Sequence, residues 1–490
     1  MNPKRPIEPL ERASTGDSAF DAILGGGIPL KSLTMVAGEP GSGKTVLALQ
    51  MLFHAARRGK KCLYFSTLAE PTLKLLRYMQ LFGFFDPELI DKHIFFTDIA
   101  EALRSGAEAT LEAISTRLEA QEPDLVVIDS FRAVGDLLRE EGVARAFTYD
   151  VAVQSASWGA TTLLIGEYTL DEIRTLPAFG IADGILWLGS QREGLTSVRE
   201  LEVLKLRGAD YVTGRHFFEI REAGLACYPR VRGPDASAQV EVATHERAPF
   251  GVDGLDALLG GGVPRTSATM FQGGTGTGKT LLSLHFLLEG TRRGERGIMF
   301  TLEETPDQLR ASAEAFGWDL IALENQCLLE LHYTSPVELS TDRFLEQARR
   351  RVVALEARRV VFDSLTSMAL GVPSPRRFRE LVYAITKHVR AADAALVMTV
   401  ESAQLLGAAT LTNTGYSFAA DNIIQLRYVE VDGRLDRAIS VLKARGLRHD
   451  TSLRALTITD TGLEVARERF HDLRGVLTGL PSLPTRGEPA

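Results

Sequence analysis

FDAILGGGIPLKSLTMVAGEPGSGKT, residues 20–45, recurs as LDALLGGGVPRTSATMFQGGTGTGKT, residues 255–280. The lysines that nearly end these stretches, Lys44 and Lys279, lie 235 positions apart. Further along, FSTLAE ending at Glu70 pairs with FTLEE ending at Glu304, and LVVIDS around Asp129 pairs with RVVFDS around Asp363, each at a spacing of 234. KLRG from Lys205 pairs with KARG from Lys443 at a spacing of 238. Four separated motifs in one order at nearly one spacing mark a tandem duplication. Length alone, 490 residues at roughly 150 per domain, suggests about three domains. The repeat replaces that with two equivalent units, residues 14–243 and 244–470, and a short tail at 471–490. The polar segment GPDASAQVEVATHERAP, residues 233–249, has no helical or strand period and reads as the linker, with the boundary near Ala243. VARERFHDLRGVL, residues 465–477, reads as a charged helical stretch, and the Pro and Gly of the residues after it read as a flexible tail.

Within each copy, short β-branched runs alternate with amphipathic stretches. LTMVA at 33–37 precedes the glycine-rich loop, and VLALQMLFHAARRG carries apolar residues at helical spacing to a terminal glycine. CLYFST, LVVIDS, TTLLIG and GILWLG follow as strands separated by helix-length segments. Such alternation gives a mostly parallel sheet covered by helices, with ligands at the carboxyl ends of the strands. The predicted fold class is therefore α/β, two such domains in series.

GEPGSGKT, residues 38–45, and GGTGTGKT, residues 273–280, both satisfy GxxxxGK[ST] between a strand and a helix. Glycines let backbone N–H groups turn inward around phosphate oxygens, and the helix N-terminus adds partial positive charge. The expected ATP contacts are Gly41, Ser42, Gly43, Lys44, Thr45 and Val46 in the first half. In the second they are Thr275, Gly276, Thr277, Gly278, Lys279, Thr280 and Leu281. Lys44 and Lys279 reach the β and γ phosphates, while Thr45 and Thr280 ligate Mg²⁺. Asp129 and Asp363 end apolar strands, where a carboxylate lies beside the phosphate loop and holds the metal through its waters. A helix N-cap is the alternative role for each.

Glu303 and Glu304 follow the next strand of the second half, where a carboxylate can polarise a water or hydroxyl aimed at the γ-phosphate. At the 234 spacing they correspond to Ala69 and Glu70, so the first half keeps one of two carboxylates. The alternative is that these glutamates simply open the next helix. Lys205 with Arg207, and Lys443 with Arg445, stand two apart and share one face of an extended strand. They can reach their own nucleotide or a neighbour's, or simply blunt a strand edge. Leu206 and Ala444 between them count with the same contacts.

Composition narrows the function classes. The chain is 45% hydrophobic and 24% charged, which is globular, and its net charge of -8 argues against coating nucleic acid or an anionic membrane. Cys62, Cys227 and Cys327 lie far apart with no CxxC, so neither a disulfide framework nor a zinc site is indicated, and a reducing cytoplasm fits. MNPKRPIEPLERAST has no apolar signal stretch, and no apolar run approaches the roughly eighteen residues of a membrane span.

With these motifs in place, the chain resembles the KaiC family, double-domain RecA-like ATPases named for a bacterial circadian-clock protein. The resemblance runs from about residue 14 to about residue 480 and includes LGGG(I/V)P at 24–29 and 259–264, TLEETP at 301–306, and FDSLTSMALGV at 362–372. Its most specific stretch is YVEVDGRLDRAISVLKARGLRHD at 428–450. The resemblance implies two tandem RecA-like P-loop domains in a homohexamer of two stacked rings, ATP between subunits in both, and autophosphorylation by the C-terminal ring. It gives Glu303 as catalytic base lying near the metal, and Lys443, Arg445, Lys205, Arg207 and Arg437 as contacts to the adjacent subunit's nucleotide. Phe82 and Phe316 match an aromatic position near the base, which core packing explains equally well.

The departures carry consequences. The family's clock protein has adjacent Ser and Thr phosphoacceptors; the matching residues here are Ser417 and Phe418, so a single main phosphosite at Ser417 is expected, with Thr412 and Thr414 weaker. The resemblance also points to clock or signalling proteins as partners, through the tail among other surfaces. Two alternatives stand beside an ATPase and autokinase: a RecA-type DNA-dependent ATPase, which should show a basic channel loop absent in obvious form here, and a nucleotide-held scaffold with little turnover.

Overall fold

The computed structural model describes residues 10–67, 72–137, 141–193, 196–230, 246–372, 374–402, 419–431 and 434–470. The chain forms two compact units, one ending at Arg230 and the other containing the described residues from 246 onward. The linker residues 231–245, with Ala243, and the tail 471–490 lie outside the described residues.

In the first unit β1 (Leu33–Gly38) leads through the glycine loop into α1 (Lys44–Ala56). Then come β2 (Cys62–Ser66), α2 (Thr72–Met79), β3 (Ile94–Asp98), β4 (Leu125–Asp129), α3 (Phe131–Leu137) and β5 (Thr161–Glu167). The unit closes with β6 (Gly184–Glu193), β7 (Thr196–Leu206), β8 (Arg215–Arg221) and β9 (Gly224–Tyr228). The second unit repeats the plan with β10 (Ala268–Gly273), α4 (Lys279–Arg292), β11 (Gly297–Thr301), α5 (Pro306–Glu314) and β12 (Leu329–Tyr333). After these come β13 (Arg359–Asp363), α6 (Leu365–Leu370), β14 (Ala395–Glu401), β15 (Asn422–Val431), β16 (Arg434–Ala444), β17 (Arg454–Thr459) and β18 (Gly462–Arg469).

Both units build a nine-stranded sheet in the same spatial order, β3-β2-β4-β5-β1-β6-β7-β8-β9 and β12-β11-β13-β14-β10-β15-β16-β17-β18. The first six strands of each are parallel and the last three run antiparallel as a meander. This is the mostly parallel α/β fold read from the alternation of strands and helices. Successive residues of a parallel strand feed opposite cores: Leu125 and Val127 of β4 enter one cluster, Val126 and Ile128 the other. With both faces covered by apolar packing, such strands read as continuous hydrophobic runs.

One element differs from its reading. Residues 465–469 belong to β18, not to a helix. Leu456 of β17 pairs with Val465, and Leu463 and Val465 are buried while Glu464 is exposed. Residues 466–469, with the charged Arg467, Glu468 and Arg469, are all exposed on an edge strand, so the charge of VARER marks solvent exposure and not a helical period.

Candidate active site

Each glycine loop ends in a glycine that local structure requires. Gly43 and Gly278 are the N-caps of α1 and α4, both at φ 101°, and neither helix has a side-chain cap. The first-turn N–H groups therefore face the loop without an internal acceptor, an arrangement suited to phosphate oxygens. A Cβ on Gly43 would approach Ile220 Cδ1 to 2.8 Å, so the loop is also packed from behind.

The lysines sit across this opening. Lys44 Nζ donates to the carbonyls of Gly38 at 3.2 Å and Glu39 at 2.7 Å; Lys279 Nζ donates to those of Gly273 at 3.0 Å and Gly274 at 2.9 Å. Burial lowers the pKa of both, and nearby carboxylates oppose it: Glu167, Asp129 and Glu39 for Lys44, and Glu401, Asp363 and Glu303 for Lys279. Thr45 Oγ1 donates to Asp129 Oδ2 at 2.7 Å, and Thr280 Oγ1 to Asp363 Oδ2 at 2.7 Å. Strand ends β4 and β13 thus bring each aspartate to the loop threonine as expected. In both halves the peptide bond after that aspartate, to Ser130 or Ser364, is cis. Burial pushes the Asp363 carboxyl up, against the hydroxyls of Thr399 and Thr280 that favour its charged form. Among the described residues no three His, Cys, Asp or Glu side chains form a cage for a metal. The hydroxyl–carboxylate pair instead suits a hard cation such as Mg²⁺ that completes its shell with phosphate oxygens and water.

The second carboxylate position separates the halves. Glu303 Oε1 accepts from Ser364 Oγ and from Ser367 Oγ, the latter at 2.6 Å. Glu304 is half-buried, and burial followed by the charges of Asp363 and Glu303 raises its pKa. In the first half, Ala69 and Glu70 lie outside the described residues. Their surroundings nonetheless show a length difference. Ser66 pairs with Asp129 and Thr301 with Asp363, a spacing of 235 on the strand side, whereas past the next helix Phe82 N donates to Met79 O and Phe316 N to Ala313 O, a spacing of 234. The segment from Ser66 to Phe82 is therefore one residue longer than that from Thr301 to Phe316.

A scan against protein-family models matches residues 13–232 and 248–469 to the model described as "ATPase: KaiC". The chain belongs to the KaiC ATPase family. It is 30% identical over 488 residues to the "Circadian clock oscillator protein KaiC" of Picosynechococcus sp., covering 97% of this chain and 93% of that relative. It is 31% identical over 501 residues to the KaiC protein of Thermostichus vulcanus, covering 98% and 95%. The "Circadian clock oscillator protein KaiC 1" of Synechocystis sp. is 30% identical over 492 residues, covering 98% and 93%.

As a KaiC-family ATPase the chain binds nucleotide, and its remaining predicted contacts fall in two places. Lys205 and Lys443 stand at the far end of the sheet from their own loops. Leu206 pairs with Gly184 and Gly184 with Thr34; Ala444 pairs with Asn422 and Asn422 with Thr269. The loops follow Gly38 and Gly273, four residues beyond Thr34 and Thr269, or about 13 Å along the strand. Lys205 Nζ donates to Gly180 O and Lys443 Nζ to Ala420 O, while Arg207 and Arg445 face Asp183 and Asp421. The structure separates these cations from their own phosphate loops. Leu206 and Ala444 are buried in the cores behind them. Arg437 lies at the other end of β16, where its Nε donates to Gly276 O at 3.1 Å and its guanidinium covers the Tyr428 ring. It therefore meets this chain's own loop, where the resemblance implied a contact to the adjacent subunit. Phe316 packs on Trp318 and Phe82 on Phe84, both half-buried. Val46 and Leu281 pack against the cores from the first helical turn. Ser42 and Thr277 are buried inside the loops.

Several residues at the site escaped the sequence reading. Thr399 Oγ1 donates to Asp363 Oδ1, Tyr64 OH donates to Asp129 Oδ2 at 2.9 Å, and Glu401 accepts from Thr275 Oγ1. The available signal was a polar residue near the end of an otherwise apolar strand, as in ALVMTVE and CLYFS. Ser417, Phe418, Thr412 and Thr414 lie outside the described residues.

Proposed function

We propose that the second half hydrolyses Mg·ATP and phosphorylates its own chain, while the first half holds nucleotide mainly to assemble copies of the chain into a hexameric ring. The observation that carries this is the asymmetry of the carboxylates. Glu303 is anchored by hydroxyls beside the Thr280–Asp363 pair, and opposite it the sequence of the first half carries Ala69.

In this reading Lys279 and the first turn of α4 bind the β and γ phosphates of the substrate. Thr280 and Asp363 would hold Mg²⁺, which when bound would neutralise charge on the phosphate oxygens. Glu303 accepts the proton of the attacking water or serine hydroxyl as its oxygen bonds to the γ-phosphorus and the bond to the β-phosphate breaks. Lys443 and Arg445, about 13 Å along the sheet from their own loop, neutralise the γ-phosphate of a neighbouring copy. That division of labour makes the site complete only between subunits.

The relatives are named circadian clock oscillator proteins. Phe418 beside Ser417 leaves one hydroxyl where an ordered two-site cycle needs two, so this chain acts as a single-site phosphorylation switch, read out by signalling or timing partners in the cytoplasm.

The test is incubation with Mg·ATP, followed by phosphate release, intact mass and phosphopeptide mapping. Wild-type protein releases phosphate and carries label on residues 411–420; Lys279→Ala loses both. Absence of label on 411–420 in the wild type contradicts the autokinase reading, and full turnover by Lys279→Ala contradicts the assignment of chemistry to the second half.

A further inference from the structure

Ser364 and Ser367 place their hydroxyls on the same oxygen of Glu303, Oε1. Ser364 is the N-cap of α6; its Oγ accepts from Ser367 N at 3.2 Å, so the first turn of one helix fixes both side chains. Ser364 is 1% exposed, whereas Ser367 is half-buried at the rim. With Oε1 occupied by two donors, Oε2 is the oxygen left to take a proton.

We propose that Ser367 is a positioning residue for the phosphotransfer reaction, acting by fixing the Glu303 carboxylate. The proposal rests on Glu303 being the base of the preceding section. The duplication supplies the control. At the 234 spacing that relates Asp129 to Asp363, Ser130 stands opposite Ser364 and Ala133 opposite Ser367. Opposite Glu303 stands Ala69 at a spacing of 234, or Leu68 at the 235 of the adjoining strand. Neither is a carboxylate. A serine thus stands at the Ser364 position in both halves, while the second serine and the glutamate are present together in one and absent together in the other. Helix stability does not account for Ser367, because alanine is the better residue inside a helix. A hydroxyl kept only where there is a carboxylate to hold is explained by that carboxylate. A hydrogen bond to a charged group is stronger than a neutral one, and a small misplacement of a catalytic group is costly in rate.

The experiment compares kcat, KM for ATP and thermal midpoint in the full chain for Ser367→Ala, Ser367→Thr, Glu303→Gln and the Ser367→Ala/Glu303→Gln pair. Ser367→Ala is expected to lower kcat about tenfold with KM and midpoint unchanged, and Ser367→Thr to recover most of the loss. Added to Glu303→Gln, Ser367→Ala should change nothing further, because it acts through the residue already removed. A kcat for Ser367→Ala within about twofold of wild type, or the same proportional loss in the Glu303→Gln background, overturns the positioning role. Wild-type turnover by Glu303→Gln overturns the base assignment itself, and the positioning role with it.

Discussion

Replacing Arg359 by leucine puts at the head of β13 the residue that the first half carries at the head of β4, Leu125. Arg359 is completely buried. Its Nε donates to Glu295 Oε2 at 2.6 Å, and one terminal nitrogen donates to Pro249 O at 2.6 Å and Phe286 O at 2.7 Å. The guanidinium lies over the Phe286 ring. Leucine leaves the Pro249 carbonyl without this donor, at about 1–3 kcal/mol. Glu295 is 26% exposed and regains water, so loss of that ion pair adds no more than about 1 kcal/mol. The void left against Phe286 costs about 1 kcal/mol more. Against these, removing a buried charge returns about 1–2 kcal/mol, the guanidinium being weakly hydrated to begin with. The net expectation is a loss of about 2 kcal/mol in the second unit, which for a domain of this size lowers the thermal midpoint by about 4–8 °C. Calorimetry of the full chain should show that shift in one transition only, since the first unit holds no such arginine. A neutral or raised midpoint would mean that desolvation outweighs the bonds made, and that Arg359 does not anchor Pro249 to the strand ending in Asp363.

Arg445→Ala should slow hydrolysis without abolishing ATP binding, measured as turnover against equilibrium nucleotide binding; loss of binding would assign Arg445 a structural role instead. Asp256 accepts from the N–H groups of Phe250 and Gly251, yet burial holds its carboxyl up at about 6 against an ordinary 3.8. Its charged form therefore costs the folded state little below pH 3.8 and about 3 kcal/mol once pH has risen past 6. In denaturant titrations Asp256→Asn should gain up to about that much on wild type between pH 4 and pH 7, and an advantage that does not change with pH would refute the reasoning.

Much of the architecture was legible because its signals are local or repeated. The duplicated loop, the apolar strands and the helix after each GK[ST] need only near neighbours, and two copies in one order make coincidence untenable. The pairing of Thr45 with Asp129 and of Thr280 with Asp363 followed from strand ends converging on one edge of a parallel sheet. Other features depend on contacts that spacing does not encode. Ser367 looks like an ordinary helix residue until α6 folds against Glu303. Lys205 and Lys443 were left open between their own nucleotide and a neighbour's, because direction along a strand is decided only by register: the chain of pairings through Gly184 and Asn422 puts them at the end away from their own loop. Arg437, eight residues before Arg445 and on the strand that ends at Ala444, falls at the opposite end for the same reason. The constant spacing of 234 assigned to the carboxylates hid an extra residue between Ser66 and Phe82, visible once Ser66 and Thr301 are fixed by their ladders.

The central claim is that the second half carries the chemistry, and hydrolysis by full-length Glu303→Gln tests it most directly. Steady-state phosphate release at saturating Mg·ATP should fall to a small fraction of wild type, about a hundredfold or more below it for the second site, while nucleotide binding is retained. Turnover close to wild type in that variant would show that the first half, with Glu70 alone, supplies the activity.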